Sequence, residues 1–209
     1  MTCYLPAIYT MAGHSASMSE QTAWQFIRWQ RVVHRVTYLQ SRIVKAVKAN
    51  RWNLVKILQS LLSSSYASKL LAIRRITENS GKRNAGIDGQ LWNTPIAKYE
   101  AIAQLQSHGY KPSAVRRIKI PKSNGKLRPL GIPTMRDRAM QTIYLHGLDP
   151  VSESLADINS YGFRKSRSCA DAIARCFSIL AKKDSPVWVL EGDIKGCFDH
   201  ISHEWMLEN

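Results

Sequence analysis

Asp193 stands at the end of an otherwise apolar run, Val187-Trp188-Val189-Leu190-Glu191-Gly192-Asp193-Ile194, two residues after Glu191. Asp199 follows six residues later, across the tight segment Lys195-Gly196-Cys197-Phe198. Carboxylate oxygens are the ligands Mg²⁺ takes, and Mg²⁺ is the ion that handles phosphates. A lone Asp at a strand end is more often a turn or cap residue, so the spacing leaves both roles open. His200 and His203, at i and i+3 with no further placed ligand, read as a helix start rather than a transition-metal cluster. A metal nuclease built on Asp193 and Asp199 would need further carboxylates that the sequence does not place.

A second group of chemical side chains is cationic. Lys122, Lys126 and Arg128 flank the turn Ser123-Asn124-Gly125. Three cations on a short hairpin can protect a strand edge, or close over a triphosphate as charge-assisted donors. Spacing alone does not decide between them.

The elements that must carry these groups can be read from periodicity. A helix starting after Ser19 is predicted from Ala23, Phe26, Ile27, Val33, Val36, Ile43 and Val47, with Arg28, Arg31, Arg35, Arg42 and Lys45 on its other face. A second helix follows through Leu54, Ile57, Leu58, Leu61 and Leu62. A third, capped in Ser63-Ser64-Ser65, runs through Leu70, Leu71 and Ile76 and closes at Gly81. Thr94-Pro95 opens a fourth, ended by Gly109. Val115 to Ile120 and Lys126 to Ile132 read as two strands of a hairpin, the second made irregular by Pro129 and Pro133. Thr134 with Asp137 caps a helix to about Gly147, and Ser168 with Asp171 caps another to Lys183. Val187 to Ile194 reads as a buried strand. This order makes α+β the expected fold class.

Charge narrows the function. The 209-residue chain carries 30 Lys+Arg against 15 Asp+Glu, a formal net charge of +15. Residues 1–138 hold 23 of the basic residues and 5 of the acidic ones, and the balance reverses afterwards. Eleven basic residues and no acid lie between Gln21 and Thr77. Solvated faces mix both signs, so a run this one-sided calls for an external polyanion, and nucleic-acid phosphate is the reading favoured over an acidic membrane. No stretch is apolar for the roughly 18 residues a membrane span needs. Cys3, Cys169, Cys176 and Cys197 show neither a Cys-x-x-Cys pair nor zinc spacing, which excludes a disulfide-stapled secreted domain. The expected address is cytoplasmic, in a bacterium or encoded in an organelle, with residues 1–19 a disordered leader.

At these residues the sequence resembles the reverse transcriptases encoded by group II introns, the intron maturases. Leu58-Gln59-Ser60-Leu61, Leu71-Ala72-Ile73-Arg74-Arg75-Ile76-Thr77 and Gly86-Ile87-Asp88-Gly89 look like the N-terminal extension ahead of the fingers. Ile120-Pro121-Lys122-Ser123-Asn124-Gly125-Lys126-Leu127-Arg128-Pro129-Leu130-Gly131-Ile132-Pro133-Thr134, with Asp137-Arg138 and Gln141, looks like the fingers motif. Ser160-Tyr161-Gly162-Phe163-Arg164 with Arg167-Ser168 forms the next block. Glu191 to Asp199 resembles the palm motif bearing the first catalytic aspartate. The match covers roughly residues 20–207.

The resemblance implies a right-hand polymerase: a basic helical module over 20–90, fingers and fingers–palm helices over 91–185, and the start of a palm over 186–209. It implies that catalytic Asp193 binds two Mg²⁺ ions, one of them also held by the Ile194 carbonyl. Lys122 and Arg128 would contact the dNTP triphosphate, and Phe198 would lie beneath the incoming sugar and exclude a 2′-hydroxyl. Arg28, Arg31, Arg35, Arg74, Arg75, Lys82, Arg83, Arg116, Arg117 and Arg164 would hold intron or template RNA, with a DNA primer as further partner.

Two departures stand out. Cys197 replaces a phenylalanine usual in the family, and the chain contains no Asp-Asp, so the Tyr-x-Asp-Asp hairpin is missing. The chain is therefore expected to be an N-terminal piece, either truncated or one half of a split protein with a partner chain carrying the rest of the palm. On its own it is expected not to polymerise. The competing reading is a non-catalytic RNA-binding protein that assists splicing.

Overall fold

The structure, a computed structural model, describes residues 24–121, 123, 125–185, 187–194 and 196–208, apart from the side chains of Phe198 and Asp199. The expected leader and the residues Lys122, Asn124, Pro186 and Lys195 lie outside that set. The chain divides into two compact units with the boundary between Ala156 and Asp157.

The first unit is helical, with one hairpin. Helix α1 spans Trp29–Lys48, α2 Trp52–Ser64 and α3 Tyr66–Glu78, followed by a 3₁₀ turn over Ser80–Arg83. Helix α4 spans Pro95–Gln104, and a long helix, α5, spans Met135–Leu155. On α1 the buried residues Val32, Val36, Leu39, Ile43 and Val47 recur every three to four positions, so one face meets the core while the arginines stay outside. Val36, Leu39 and Ile43 close on Val55, Leu58 and Leu62 of α2 in one apolar cluster. Leu70, Ile73 and Ile76 of α3 join Ala101 and Ile102 of α4 and Met140 and Ile143 of α5 in another. Helix α5 packs against α1, α2 and α3 and is the spine of the unit.

Strands β1 (Arg116–Pro121) and β2 (Leu127–Ile132) pair antiparallel, with Arg116 opposite Ile132 and Ile120 opposite Arg128. Gly125 at the turn has φ +75°, a backbone conformation glycine adopts without steric cost. Helix-rich α+β with one small antiparallel sheet is the observed class.

The second unit contains α6 (Cys169–Leu180), α7 (Cys197–His200) and α8 (His203–Glu208). Ser168 and Asp171 form the expected reciprocal capping box at the start of α6. Cys169, Cys176 and Cys197 are free thiols.

Several expectations are corrected. Residues 187–194 are not a buried strand: the segment is irregular and exposed. A strand exists through its ladder bonds, and the described residues hold only the β1–β2 pair. The first helix starts at Trp29, because residues 26–28 break the helical path, and it buries Val32 while Val33 and Phe26 face out. Ile57 and Leu61 of α2 are exposed as well. Helix α3 closes at Glu78 with Asn79 as cap, before Gly81, and α4 at Gln104, before Gly109. Helix α6 stops at Leu180, short of Lys183.

The largest boundary error is at α5, which runs through Gly147 to Leu155 with Gly147 inside the helix and facing α2. A β-carbon there would lie 3.5 Å from Gln59 Cγ, an ordinary contact distance, so α2 packs directly on this turn of α5. Gln59 Nε2 then donates to the Gly147 carbonyl at 2.9 Å.

Candidate nucleic-acid interface and palm segment

Arg28, Arg31 and Arg35 recur at helical spacing and are all exposed, along one flank of the buried Val32–Val36 stripe. They form one cationic ridge at the start of α1. Arg42, a turn or two further on, lies over the Tyr38 ring at 5.9 Å. Arg74 differs from these residues. Its Nε donates to both carboxylate oxygens of Glu78, at 3.0 and 3.1 Å, and its guanidinium stacks 4.7 Å from the Trp29 ring. Part of its charge is thus already balanced, and it ties α3 to the start of α1. Arg75 is exposed and lines a cavity of about 430 Å³ with Asn79, Arg138 and Gln141.

Lys82 and Arg83 are exposed on the 3₁₀ turn. That turn is held by Arg138, whose Nη1 donates to the Gly81 carbonyl at 3.0 Å, whose Nη2 donates to the Asn84 carbonyl, and whose Nε donates to the Pro133 carbonyl at 3.0 Å. Gly86 completes the attachment: a β-carbon there would sit 2.5 Å from Thr134 Cα. The Gly86–Gly89 block is therefore pressed on the backbone that joins β2 to α5.

Beside Arg138, Asp137 is buried and collects donors. Tyr110 Oη donates to Oδ1 at 2.7 Å; Thr134 Oγ1 (2.7 Å) and the Ser113 N–H (3.2 Å) donate to Oδ2. The Asp137 N–H donates back to Thr134 Oγ1 at 3.1 Å. Burial pushes this carboxyl up, but the donations from Tyr110, Thr134 and Ser113, with the charge of Arg136, outweigh it and hold Asp137 below its ordinary value. Burial and the bond to Asp137 raise the Tyr110 phenol. Asp137 thus fastens the segment entering β1 to the first turn of α5. The capping role was visible in the sequence; Tyr110, 27 residues away, was not.

On the hairpin, Arg116, Arg117 and Arg128 are exposed. The register puts Arg116 and Arg128 on one face with Ile118, Ile120, Leu130 and the buried Ile132, and Arg117 and Lys119 on the other. The hairpin therefore presents cations on both faces. Lys122 lies outside the described residues.

In the second unit, Arg164 turns inward on its own loop, Nη1 donating to the carbonyls of Asp157 (2.7 Å) and Ser160 (2.8 Å). Phe163, at φ +59°, is fully exposed. Glu191, Asp193 and Ile194 lie exposed on the irregular segment, and Gly196, at φ +60°, turns the chain into α7. The Phe198 and Asp199 side chains lie outside the described set. Among the described residues no group of three metal-ligating side chains converges, and no helix is long and apolar enough to cross a membrane.

Comparison with known families agrees with this anatomy. The N-terminal domain of reverse transcriptase matches residues 24–105, and the reverse transcriptase (RNA-dependent DNA polymerase) domain matches residues 120–209. The chain is 39% identical over 144 residues to protein YkfC of Escherichia coli strain K12, an alignment covering 64% of this chain and 37% of that protein. It is 38% identical over 136 residues to the group II intron-encoded protein LtrA of Lactococcus lactis subsp. cremoris, covering 64% of this chain and 22% of LtrA. An uncharacterized 91 kDa protein in a cob intron of Schizosaccharomyces pombe is 35% identical over 140 residues, covering 66% and 17%. The alignments thus span between 17% and 37% of these relatives. The class is that of the reverse transcriptases. Within it, the chain belongs to the group II intron-encoded reverse transcriptase and maturase family, of which it carries the N-terminal portion.

Proposed function

We propose that this chain is the RNA-holding and nucleotide-gripping portion of an RNA-directed DNA polymerase of right-hand architecture. Residues 20–90 hold intron or template RNA, 91–185 form the fingers, and 186–209 open the palm. The observation that carries the reading is the basic surface of α1 to α3 and their turns: eleven basic residues from Gln21 to Thr77 with no acid among them, and Glu78 at the end of α3 engaging Arg74. Apart from Arg74, which Glu78 engages, cations in such excess over carboxylates displace counterions from a phosphate backbone. Arg28, Arg31, Arg35 and Arg75, with Lys82, Arg83, Arg116 and Arg117, are the contacts to RNA in this reading. Lys122 and Arg128 grip the triphosphate of the dNTP, and Phe198 excludes the 2′-hydroxyl.

Asp193 and the Ile194 carbonyl are the proposed start of a magnesium centre. Mg²⁺ takes several oxygen ligands at near-octahedral geometry. Asp193 and Glu191 on an exposed irregular segment, without a third converging ligand among the described residues, do not fit a two-ion centre. No catalytic step is therefore assigned to this polypeptide. The second reading, a non-catalytic RNA-binding and splicing-assisting protein, rests on the same basic helices.

Two assays on the 209-residue protein separate these readings. Filter binding to a structured intron RNA tests RNA holding: affinity should fall at least ~300-fold between 50 and 200 mM salt if six or more phosphates are contacted. Primer extension with dNTPs and Mg²⁺ should be blank; DNA synthesis would overturn the reading that this polypeptide does not polymerise on its own. Synthesis restored by adding a second chain that bears a Tyr-x-Asp-Asp block would favour the polymerase reading over the splicing-only one.

A further inference from the structure

The turn between α1 and α2 carries a feature that the basic helices do not require. Asn50, Arg51, Trp52, Asn53, Leu54 and Ile57 line an open cavity of about 530 Å³. Trp52 is 44% exposed at the first position of α2, and Ile57, one turn on, is 63% exposed. An indole left half in water at a helix start contributes little to the core, which α2 builds from Val55, Leu58 and Leu62.

The backbone of the turn is already satisfied. The Asn50 N–H donates to the Val47 carbonyl and the Arg51 N–H to the Ala46 carbonyl, both at 2.9 Å. Asn50 adopts φ +54°, a left-handed conformation asparagine tolerates better than most residues. What the cavity offers a ligand is therefore side chain: one aromatic face, one guanidinium and two carboxamides. Lys48 and Lys56, exposed one turn to either side, add charge of the same sign.

We infer that this turn is a capture site for an unpaired RNA base. A base stacks on an indole whatever its identity, a carboxamide offers both donor and acceptor to a base edge, and Arg51 supplies the contact to the adjoining phosphate. A protein ligand would also use Trp52, but the surrounding charge is all positive and lies in the acid-free stretch, which selects a polyanion. The inference rests on the RNA-holding reading above and assigns to it one site that prefers looped-out over paired nucleotides.

The test uses the full 209-residue chain and two probes of equal length, an RNA hairpin with an unpaired loop and a blunt RNA duplex. Trp52→Ala should weaken binding to the hairpin by roughly tenfold, within the range measured for loss of a base–aromatic stack, and leave duplex binding unchanged. Trp52→Phe should keep most of the hairpin affinity. Circular dichroism guards against misfolding, and the exposed Trp52→Phe variant remains readable if Trp52→Ala unfolds. Equal losses on both probes, or none on the hairpin, would overturn the site while leaving the RNA-holding reading intact. Wild-type protein that binds neither probe would overturn both. Hairpin affinity unchanged while Trp52→Ala abolishes a protein contact would assign the turn to a protein partner instead.

Discussion

Gln40 Nε2 donates to the main-chain carbonyl of His146, 2.9 Å away and 106 residues later in the chain. That carbonyl is the one a helix would satisfy with the N–H of residue 150, and residue 150 is proline, which has none. Pro150 sits buried inside α5, and the helix continues past it because α1 supplies the missing donor. Gln40→Leu should therefore destabilise the first unit by about 1–2 kcal/mol, the usual cost of leaving a buried acceptor unmade. In a Pro150→Ala background, where the helix regains its own N–H, the same substitution should cost clearly less. Urea unfolding of the four proteins in the cycle measures the coupling.

Gly86→Ala forces a β-carbon to within 2.5 Å of Thr134 Cα and 2.7 Å of its nitrogen. Both are backbone atoms, so the loop must move. A loss of about 1–3 kcal/mol is expected, as for other overpacked sites. Because the displaced loop follows the turn bearing Lys82 and Arg83, RNA affinity should drop with stability. Thermal melting and RNA titration of the same variant check both.

Asp137 sets an acid limit on the first unit. Its folded carboxyl lies below the ordinary value of 3.8, so its stabilisation is complete above that pH and is lost as pH falls through the depressed folded value. Asp137→Asn should cost about 1–3 kcal/mol at neutral pH by spoiling the bonds from Tyr110, Thr134 and Ser113. It should also flatten the decline of stability with acid. Denaturant midpoints from pH 7 down to pH 3 for both proteins provide the comparison.

Trp188 and Leu190, 93% and 97% exposed, make the 187–194 segment an aggregation hazard, since contiguous exposed apolar residues seek cover. Trp188→Ser with Leu190→Ser should lower light scattering on concentration while leaving the melting of the helical unit unchanged. Amides of 187–194 should exchange with deuterium far faster than those of α1 or α5.

Much of the helical unit was legible in the sequence because its signals are local. The caps at Ser65, Thr94, Thr134 and Ser168 and the hairpin around Gly125 each follow from residues within a few positions. The failures involve partners distant in sequence. Gly147 reads as a terminator until Gln59 of α2 is seen to bond its carbonyl, and the donor that Gln40 supplies ahead of Pro150 comes from 106 residues away. Val187 to Ile194 has strand composition, but composition cannot supply the neighbouring strand. At the candidate interface, the basic ridge was readable from charge, whereas the engagement of Arg74 by Trp29 and Glu78 and of Arg164 by its own loop was not. Trp52 belongs to no motif, and its exposure beside a cavity arises only once α1 and α2 are folded.

The central claim is that the α1 ridge is a phosphate contact. Its most direct measurement is the salt dependence of RNA affinity for the wild-type chain and for the triple variant Arg28→Gln, Arg31→Gln, Arg35→Gln. If all three arginines touch phosphates, the slope of log K against log salt should become shallower by about 2–3, at roughly 0.7–0.9 per lost contact. An unchanged slope, in a variant that folds normally, would contradict the account.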